Sequence, residues 1–258
     1  MIGLLYFAVI IIASTLGAIS GMSGGLIIRP VFDLVGADSV ASISLYASVA
    51  VLTMSIVTTS KKLSEGTKLR WGLIIWDFCG AIFGGIFGNL AFEYLLRTFG
   101  STTAQTVQIV LKLFVLFFVV LYVRFQWKSF HLNHPAVYFA CGLTVGFLAS
   151  VIGIGGGPMN VSLLMLLFGF KIKEATVYSV CLIFFSQFAN LSTMMLTQGV
   201  ERFQSTTLFF VIPAAVIGGL LGGKLGGILS QKKVAFLFQA IIICVLCINL
   251  FNLFMLHR

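Results

Sequence analysis

Charge is what this sequence has least of. Charged residues make up 9% of its 258 residues, whereas about a quarter of the residues in ordinary soluble domains are charged. The first charged residue is Arg29, and only seven residues in the chain are acidic. Because 59% of the residues are hydrophobic, this composition excludes a soluble globular domain. The length allows about eight or nine spanning helices and leaves no room for a second, soluble domain.

The amino-terminal segment lacks the basic residues that a secretory signal carries. Residues 1–20 are largely apolar and contain no Lys or Arg, whereas a signal peptide has a positive region before a short apolar core. We therefore interpret this segment as a retained membrane helix. The formal net charge of +9 does not indicate a nucleic-acid partner, because the basic residues fall between apolar segments rather than on an amphipathic face.

The sequence also lacks the residue sets that carry enzyme and metal chemistry. Cys244 and Cys247 form a C-x-x-C without a second pair, and no nucleophile, base and orienting residue make a credible set. The glycine clusters have neither a P-loop lysine nor a Rossmann context. His131 and His134 lie in a basic loop, which favours a solvated loop over a metal site. We expect no enzyme activity, no metal and no cofactor.

What the sequence does contain is a series of apolar runs. Two of them, 26–36 and 156–168, would reach only about 17–20 Å as helices, too short for a bilayer core of about 30 Å. Each follows a glycine cluster, at 21–25 and at 153–157. We therefore predict an all-α membrane protein of about eight transmembrane segments, including two glycine-broken re-entrant helix hairpins. The longer runs cover 2–20, 39–60, 71–95, 104–123, 136–152, 175–198, 205–229 and 234–256.

The two short runs occupy equivalent places in the two halves of the sequence. A shift of 132 residues places Gly21, Gly24 and Gly25 on glycines, and a shift of 134 places 84–88 on 218–222. Shifts this similar are expected of a duplicated unit with one short insertion. The predicted organisation is a single transmembrane domain (1–258) with repeat one (1–125), a basic cytoplasmic loop (124–135) and repeat two (135–258).

The basic residues predict that the two repeats are inverted relative to each other. If each short run returns to the side where its preceding helix began, ten basic residues lie in the cytoplasm and three outside, whereas a single crossing would give seven against five. The positive-inside rule favours the first arrangement, which gives each half an odd number of crossings and an amino terminus outside. The cytoplasmic residues would be Lys61, Lys62, Lys68, Arg70, Arg124, Lys128, Lys171, Lys173, Lys232 and Lys233.

The glycine clusters themselves suit anion binding. The first-turn N–H groups of a helix lack intrahelical partners, the helix dipole is positive there, and glycine allows close approach of a ligand. Two such turns, inverted and meeting near the midplane, would form a paired anion site. The alternative is that these glycines only permit close helix packing. The predicted substrate-binding residues in the turns are Ser23, Gly24, Gly25, Gly155, Gly156 and Gly157.

A second set of glycines favours helix packing over ligand contact. These residues recur every four positions, which places them along one helix face and lets two helices approach closely. The sets are Gly80, Gly84 and Gly88; Gly218, Gly222 and Gly226; and Gly219, Gly223 and Gly227.

Four polar residues inside apolar runs are further candidates, because polar groups are costly in a membrane. Gln187 and Asn190 share a helix face and could donate amide N–H groups to an oxyanion, with interhelical hydrogen bonding as the alternative. Asp77 is the best candidate for a protonatable coupling group, and its alternatives are a buried structural acid or an interfacial residue. Arg29 could attract an anion or extend its charge to an interface.

The duplicated turn resembles the TauE/SafE sulfite-exporter family of membrane permeases. Each G-x-x-G-G turn precedes an apolar half-helix and an Ala-Ser or Ala-Thr helix start, at 41–42 and 175–176. In that family a proline commonly follows nine residues after the first glycine, and Gly21 and Pro30 keep this spacing. Ser23 replaces a glycine of the pattern, and Ser162 replaces the later proline. The resemblance covers nearly the whole chain.

This resemblance implies a transporter of sulfite, sulfonates or related organic sulfur anions in the bacterial inner membrane. We expect a multi-pass secondary transporter that binds a small anion between the two turns and works by alternating access, coupled to H⁺ or Na⁺. A passive anion channel is the alternative. The expected partners are the small anion and the lipid bilayer, with no nucleic acid, and the oligomeric state is left open.

Overall fold

The chain forms α-helices connected by short turns. The structure is a computed structural model that describes residues 2–38, 40–67, 69–125, 128–152, 156–198 and 207–256. Within these ranges it contains nine helices and no strand. The helices are α1 (Ile2–Ser20), α2 (Gly25–Val35), α3 (Val40–Ser64), α4 (Trp71–Phe125), α5 (Pro135–Ile152), α6 (Gly157–Phe168), α7 (Ile172–Gln198), α8 (Leu208–Ile228) and α9 (Gln231–Leu256).

Eight helical segments in the described part of the chain are long and apolar enough to cross a membrane. Two of them lie within α4, which Gly100 interrupts with a non-helical backbone (φ 80°, ψ 171°). This confirms the prediction of an all-α membrane protein with about eight transmembrane segments. α2 has 11 residues and α6 has 12, so each is about 16–18 Å long, as the short apolar runs predicted.

The helices group into two compact units that cut across the two halves of the sequence. Unit 1 comprises Met1–Leu69 and Thr176–Ser230, and unit 2 comprises Arg70–Ala175 and Gln231–Arg258. Unit 1 therefore contains α1, α2, α3, most of α7 and α8, whereas unit 2 contains α4, α5, α6 and α9. Each unit thus draws helices from both halves. The duplication and the inversion of the halves stay predictions.

The core of unit 1 lies among α1, α2, α3 and α8. Tyr6, near the start of α1, is fully buried, and its ring stacks on Phe32 of α2 with the centroids 3.8 Å apart. The Tyr6 hydroxyl donates a hydrogen bond to Asp38, just beyond α2, at 2.8 Å. The end of α2 therefore lies beside the start of α1.

Both glycine ladders of α8 pack against other helices of unit 1. A Cβ on Gly218 or Gly222 would lie 2.6 Å from a side-chain carbon of α1, namely the Cβ of Ser14 or of Ala18. One position further along, a Cβ on Gly219 would lie 3.1 Å from the Met54 carbonyl oxygen of α3. The two ladders thus face two different helices, which confirms their predicted packing role.

The glycine ladder of α4 packs backbone to backbone against α5 in unit 2. A Cβ on Gly80 would overlap the carbonyl oxygen of Phe139, and a Cβ on Gly84 would overlap that of Leu143. Glycines of α5 complete the contact, because a Cβ on Gly142 would meet the Asp77 carbonyl oxygen in the same way. Such contact requires glycine on both helices.

The end of α6 lies beside the start of α5 in the same unit. The segment just before α5 donates two backbone hydrogen bonds to the last turn of α6, from Phe130 to Leu166 and from Leu132 to Leu167, both at 2.8 Å. These bonds satisfy helix-end carbonyls that have no intrahelical partner. The chain therefore returns, at the end of α6, to the place from which α5 begins.

Candidate functional site

The first glycine turn ends α1 with a defined backbone motif. Gly21 adopts a left-handed conformation (φ 70°), and the Met22 N–H bonds to the Gly17 carbonyl at 3.1 Å. This six-to-one bond over a left-handed glycine is the Schellman arrangement, in which glycine avoids the steric cost of its backbone angles. The chain can therefore stop one helix and start the next within a few residues.

The first turn of α2 leaves backbone donors free. The Leu26 N–H bonds to Ser23, and the Ile27 and Ile28 N–H groups bond to Gly24, at 3.0–3.1 Å. No side chain caps the helix at Gly24. Within the described ranges, the N–H groups of Ser23, Gly24 and Gly25 have no acceptor.

This turn is enclosed by protein. Ser23 is only 4% exposed, and Gly24 is buried. Buried N–H groups normally have a partner, so these three donors are available to a hydrogen-bond acceptor. Two of the five predicted glycines and the predicted serine are thus brought together by one turn of unit 1.

Helices α3 and α7 line the approach to this turn. A Cβ on Gly25 would lie 3.5 Å from Val51 of α3, and Val51 belongs to a small buried cluster with Ile183 of α7. Asn190, two turns further along α7, donates an amide hydrogen bond to Ser48 of α3 at 3.3 Å. The Asn190 amide is therefore used between helices, as the alternative interpretation of this residue described.

Gln187 differs from Asn190 in its environment. It is 8% exposed, and its Oε1 atom is buried without a hydrogen-bond partner among the described residues. It lies one helical turn from Ile183, on the same face of α7. A buried amide oxygen without a partner costs about 1–3 kcal/mol, so a ligand or water that donates a hydrogen bond would stabilise it.

The second glycine turn, in unit 2, offers fewer free donors. Gly156 adopts a left-handed conformation (φ 73°) and caps α6 without a side-chain bond. Proline at position 158 has no N–H, and Gly157 has an interaction partner. Gly155 lies outside the described residues. Among the described residues, free backbone donors are therefore found at the first turn.

Sequence reasoning missed a small pocket and a polar residue at this second turn. Asn160 is 7% exposed, and its Nδ2 atom would lie 3.9 Å from a Cβ on Gly156. A polar residue in the first turn of a half-helix was the available signal. Beside it, a pocket with an entirely apolar lining is formed by Val115, Leu116, Leu148, Ala149, Ile152, Gly156, Pro158 and Met159.

Asp77 lies deep inside unit 2. It is 2% exposed, the Cys141 thiol of α5 lies beside its carboxylate, and its Oδ1 atom has no partner among the described residues. Asp77 is thus buried among the helices of unit 2, and its depth in the membrane stays a prediction. A carboxyl oxygen that is buried without a partner is free to take a proton or a ligand.

Arg29 is engaged within unit 1. Its guanidinium donates a hydrogen bond to the Ser44 hydroxyl of α3 at 2.8 Å. Arg29 is half-buried, so it ties α2 to α3 while keeping its charge near the turn of the chain between them. No cluster of three or more metal-ligating side chains occurs in the described ranges.

Comparison with known proteins identifies the family. The sequence model of the family described as "Sulfite exporter TauE/SafE" matches residues 6–250, which is nearly the whole chain. The chain belongs to the TauE/SafE family. It is therefore a multi-pass membrane transporter, and the family resemblance drawn from the glycine turns is confirmed.

Two curated relatives of this TauE/SafE protein are also named as transporters. "Probable membrane transporter protein YunE" of Bacillus subtilis is 31% identical over 112 residues, which is 43% of this chain and 40% of the relative. A probable membrane transporter protein of Methanocaldococcus jannaschii is 23% identical over 236 residues, or 86% of this chain and 84% of the relative. The first match thus spans less than half of that relative. No solved structure matches the chain significantly.

Proposed function

We propose that this TauE/SafE protein is a secondary transporter of a small oxyanion, namely sulfite, a sulfonate or a related organic sulfur anion. It works by alternating access in the bacterial inner membrane, with its amino terminus outside. The single observation that carries the proposal is the set of three free N–H groups at Ser23, Gly24 and Gly25. An anion is the ligand that such donors at a helix start bind best.

The scarcity of nearby cations supports backbone recognition. Most basic residues lie at helix ends, and Arg29 already donates to Ser44. Backbone dipoles hold an anion without a fixed full charge, so they release it more readily than a buried Lys or Arg would. A transporter needs such reversible binding, because the substrate must leave on the other side.

The geometry within each unit supports the re-entrant arrangement in this proposal. In unit 1 the end of α2 stacks on the start of α1 through Phe32 and Tyr6. In unit 2 the end of α6 accepts backbone hydrogen bonds from the segment before α5. Each short helix therefore returns toward the start of its preceding helix. Unwound backbone at the tip of such a hairpin is tolerated in a membrane where it lines a site.

We further propose that Asp77 is the coupling group. Its unpartnered carboxyl oxygen and its Cys141 neighbour allow it to take and release a proton during the cycle. Protons are favoured over Na⁺ because a proton needs only this one carboxyl oxygen, whereas a metal ion needs several oxygen ligands.

The donor hypothesis is tested by a substitution that removes one backbone N–H group. Gly25 is the first residue of α2, the helix position at which proline is most common, and the melting temperature is measured because Gly24 before it has α-region angles, which a following proline disfavours. Gly25→Pro deletes the donor and adds a ring, whereas Gly25→Ala keeps the donor and adds a Cβ that lies 3.2 Å from the Ser23 hydroxyl oxygen, a close contact, and 3.5 Å from Val51. We expect a KM for sulfite about five- to tenfold higher in the proline variant, as for one lost hydrogen bond to a charge, and a near-normal KM in the alanine variant.

The measurement is uptake of radiolabelled sulfite into proteoliposomes that contain only this protein. Equal KM values for the two variants, with equal melting temperatures, would contradict backbone binding at this turn. Counterflow separates a carrier from a passive channel, because only a carrier exchanges labelled substrate against a gradient. A thermal-shift panel of sulfite, sulfate, thiosulfate, sulfonates and carboxylates gives the substrate class, since a ligand stabilises the protein in proportion to its excess over Kd.

A further inference from the structure

A backbone carbonyl at or next to each glycine turn accepts a hydrogen bond from a side chain of a helix that is distant in sequence. In unit 1 the Ser179 hydroxyl of α7 donates to the Gly21 carbonyl at 2.7 Å, and Ser179 is fully buried. In unit 2 the Gln108 amide of α4 donates to the Val151 carbonyl at 2.7 Å. Val151 is the penultimate residue of α5 and is 8% exposed.

The bond to Gly21 fixes the orientation of a whole peptide plane. The Gly21 carbonyl and the Met22 N–H belong to the same rigid peptide unit. The N–H side of this unit bonds to Gly17 at 3.1 Å, and the carbonyl side bonds to Ser179 at 2.7 Å. The plane is therefore held at both ends. The directions of the next N–H groups, at Ser23 and Gly24, follow from it through two backbone dihedrals per residue.

The bond to Val151 fixes the end of α5, which precedes the second glycine turn, in a comparable way. The last carbonyls of a helix have no intrahelical partner, and a buried carbonyl without a partner destabilises its conformation. Gln108 supplies the missing donor just before the second glycine turn. The long side chain of Gln108 and the short hydroxyl of Ser179 thus each satisfy a backbone carbonyl beside a glycine turn.

We propose that Ser179 is a positioning residue that holds the first glycine turn in the geometry required for anion binding, and that Gln108 positions the end of α5, next to the second glycine turn, in the same way. The inference rests on the proposed function for its transport readout. It assigns to these residues no contact with the substrate. Their effect is on the direction of backbone donors, so their loss alters substrate affinity more than the maximal rate.

A graded series at position 179 tests the first anchor. Ser179→Ala removes the donor, and Ser179→Cys replaces it with the weaker donor of a thiol of similar shape. We expect the KM for sulfite to rise about five- to tenfold in the alanine variant, as for one hydrogen bond, with an intermediate value for cysteine and a maximal rate within about twofold of the parent protein. Ser186→Ala is the matched control, because the hydrogen bond of Ser186 in the described part of the chain goes to Ile183 of its own helix, at 3.0 Å.

Hydrogen exchange gives a readout that does not depend on transport. In Ser179→Ala the peptide covering 16–26 should exchange faster than in Ser186→Ala, because the Met22 N–H loses its fixed geometry. For the second anchor, Gln108→Met keeps the side-chain length without a donor. Its control is Gln239→Met, the same change at a half-buried residue of α9.

The outcomes separate the anchors from the function. A parent protein that shows no anion flux would overturn the proposed function, while faster exchange in the 16–26 peptide would still support the Ser179 anchor. A transporting parent whose alanine variant has an unchanged KM and unchanged exchange would overturn the anchor. A variant with a lower melting temperature but an unchanged KM would show a stabilising role only, and would also overturn it.

Discussion

The backbone contact between α4 and α5 makes a sharp prediction for two neighbouring glycines. A Cβ on Gly88 would lie 2.5 Å from the Phe147 carbonyl oxygen, against about 3.3 Å for the closest ordinary carbon–oxygen contacts. A Cβ on Gly85 would lie 3.5 Å from the Ser150 hydroxyl, an ordinary contact. Gly88→Ala must therefore push the two helices apart by about 0.8 Å, whereas Gly85→Ala requires no movement.

The energies of the two substitutions differ by the cost of the close contact at Gly88. Replacing a helical glycine by alanine adds helix propensity of about 0.8–1 kcal/mol in both variants, and this is the whole effect expected at Gly85. At Gly88 the overpacking of a close contact costs about 1–3 kcal/mol. The two variants should therefore differ by about 1–3 kcal/mol in the free energy of unfolding, because the propensity gain is common to both. For a chain of this size the midpoints of thermal unfolding should differ by about 2–12 °C.

Buried thiols provide the assay. Cys141 of unit 2 is 4% exposed and Cys181 of unit 1 is 1% exposed, so each reacts with a thiol dye only after its surroundings open. With the other cysteines replaced by serine, the midpoint at Cys141 should fall in Gly88→Ala and stay level or rise in Gly85→Ala. Midpoints within 1 °C of each other would refute the inference that α4 and α5 meet backbone to backbone.

Two further predictions concern α8 and Asp77. Gly218→Ala should lower the melting temperature, because its Cβ would lie 2.6 Å from the Cβ of Ser14, whereas Gly226→Ala, whose nearest atom would be at 3.7 Å, should be neutral or stabilising in the same thermal assay. Asp77→Asn should retain sulfite counterflow in proteoliposomes but should no longer be accelerated by a proton gradient. The control is Glu93→Gln, at an exposed residue paired with Arg97 at 3.6 Å, which should keep both activities. Gradient-driven uptake in Asp77→Asn would contradict the coupling role.

The helices could be predicted from the sequence because membrane spans are set by local rules. Apolar length gives the spans, and the glycine clusters before 26–36 and 156–168 mark where they break. Even the spacing of Gly218 and Gly219 correctly indicated packing faces. The partners of those faces could not be predicted, because pairing α8 with α1 depends on contacts such as that of Thr15 with the Gly218 carbonyl, far apart along the chain.

The site was predictable to the level of the turn and no further. The types and spacing of Ser23, Gly24 and Gly25 indicated free N–H donors. Which polar side chain meets which partner depends on how each helix is rotated. The structure was therefore needed to show that Asn190 donates to Ser48 and that the Gln187 Oε1 atom has no partner among the described residues. Ser179 carried no sequence signal at all, because a lone serine in an apolar run is unremarkable until a carbonyl lies 2.7 Å away.

The division of helices between the units has a consequence for how the protein is made. α1 is synthesised well before its glycine-rich partner α8, which begins at Leu208, so unit 1 remains incomplete until α8 has been made. α4 gains its partner α5 directly, but unit 2 also contains α9 and is complete only after α8 has been synthesised. A fragment that ends in the 124–135 loop would therefore contain no complete unit, and neither bundle could form from that fragment alone.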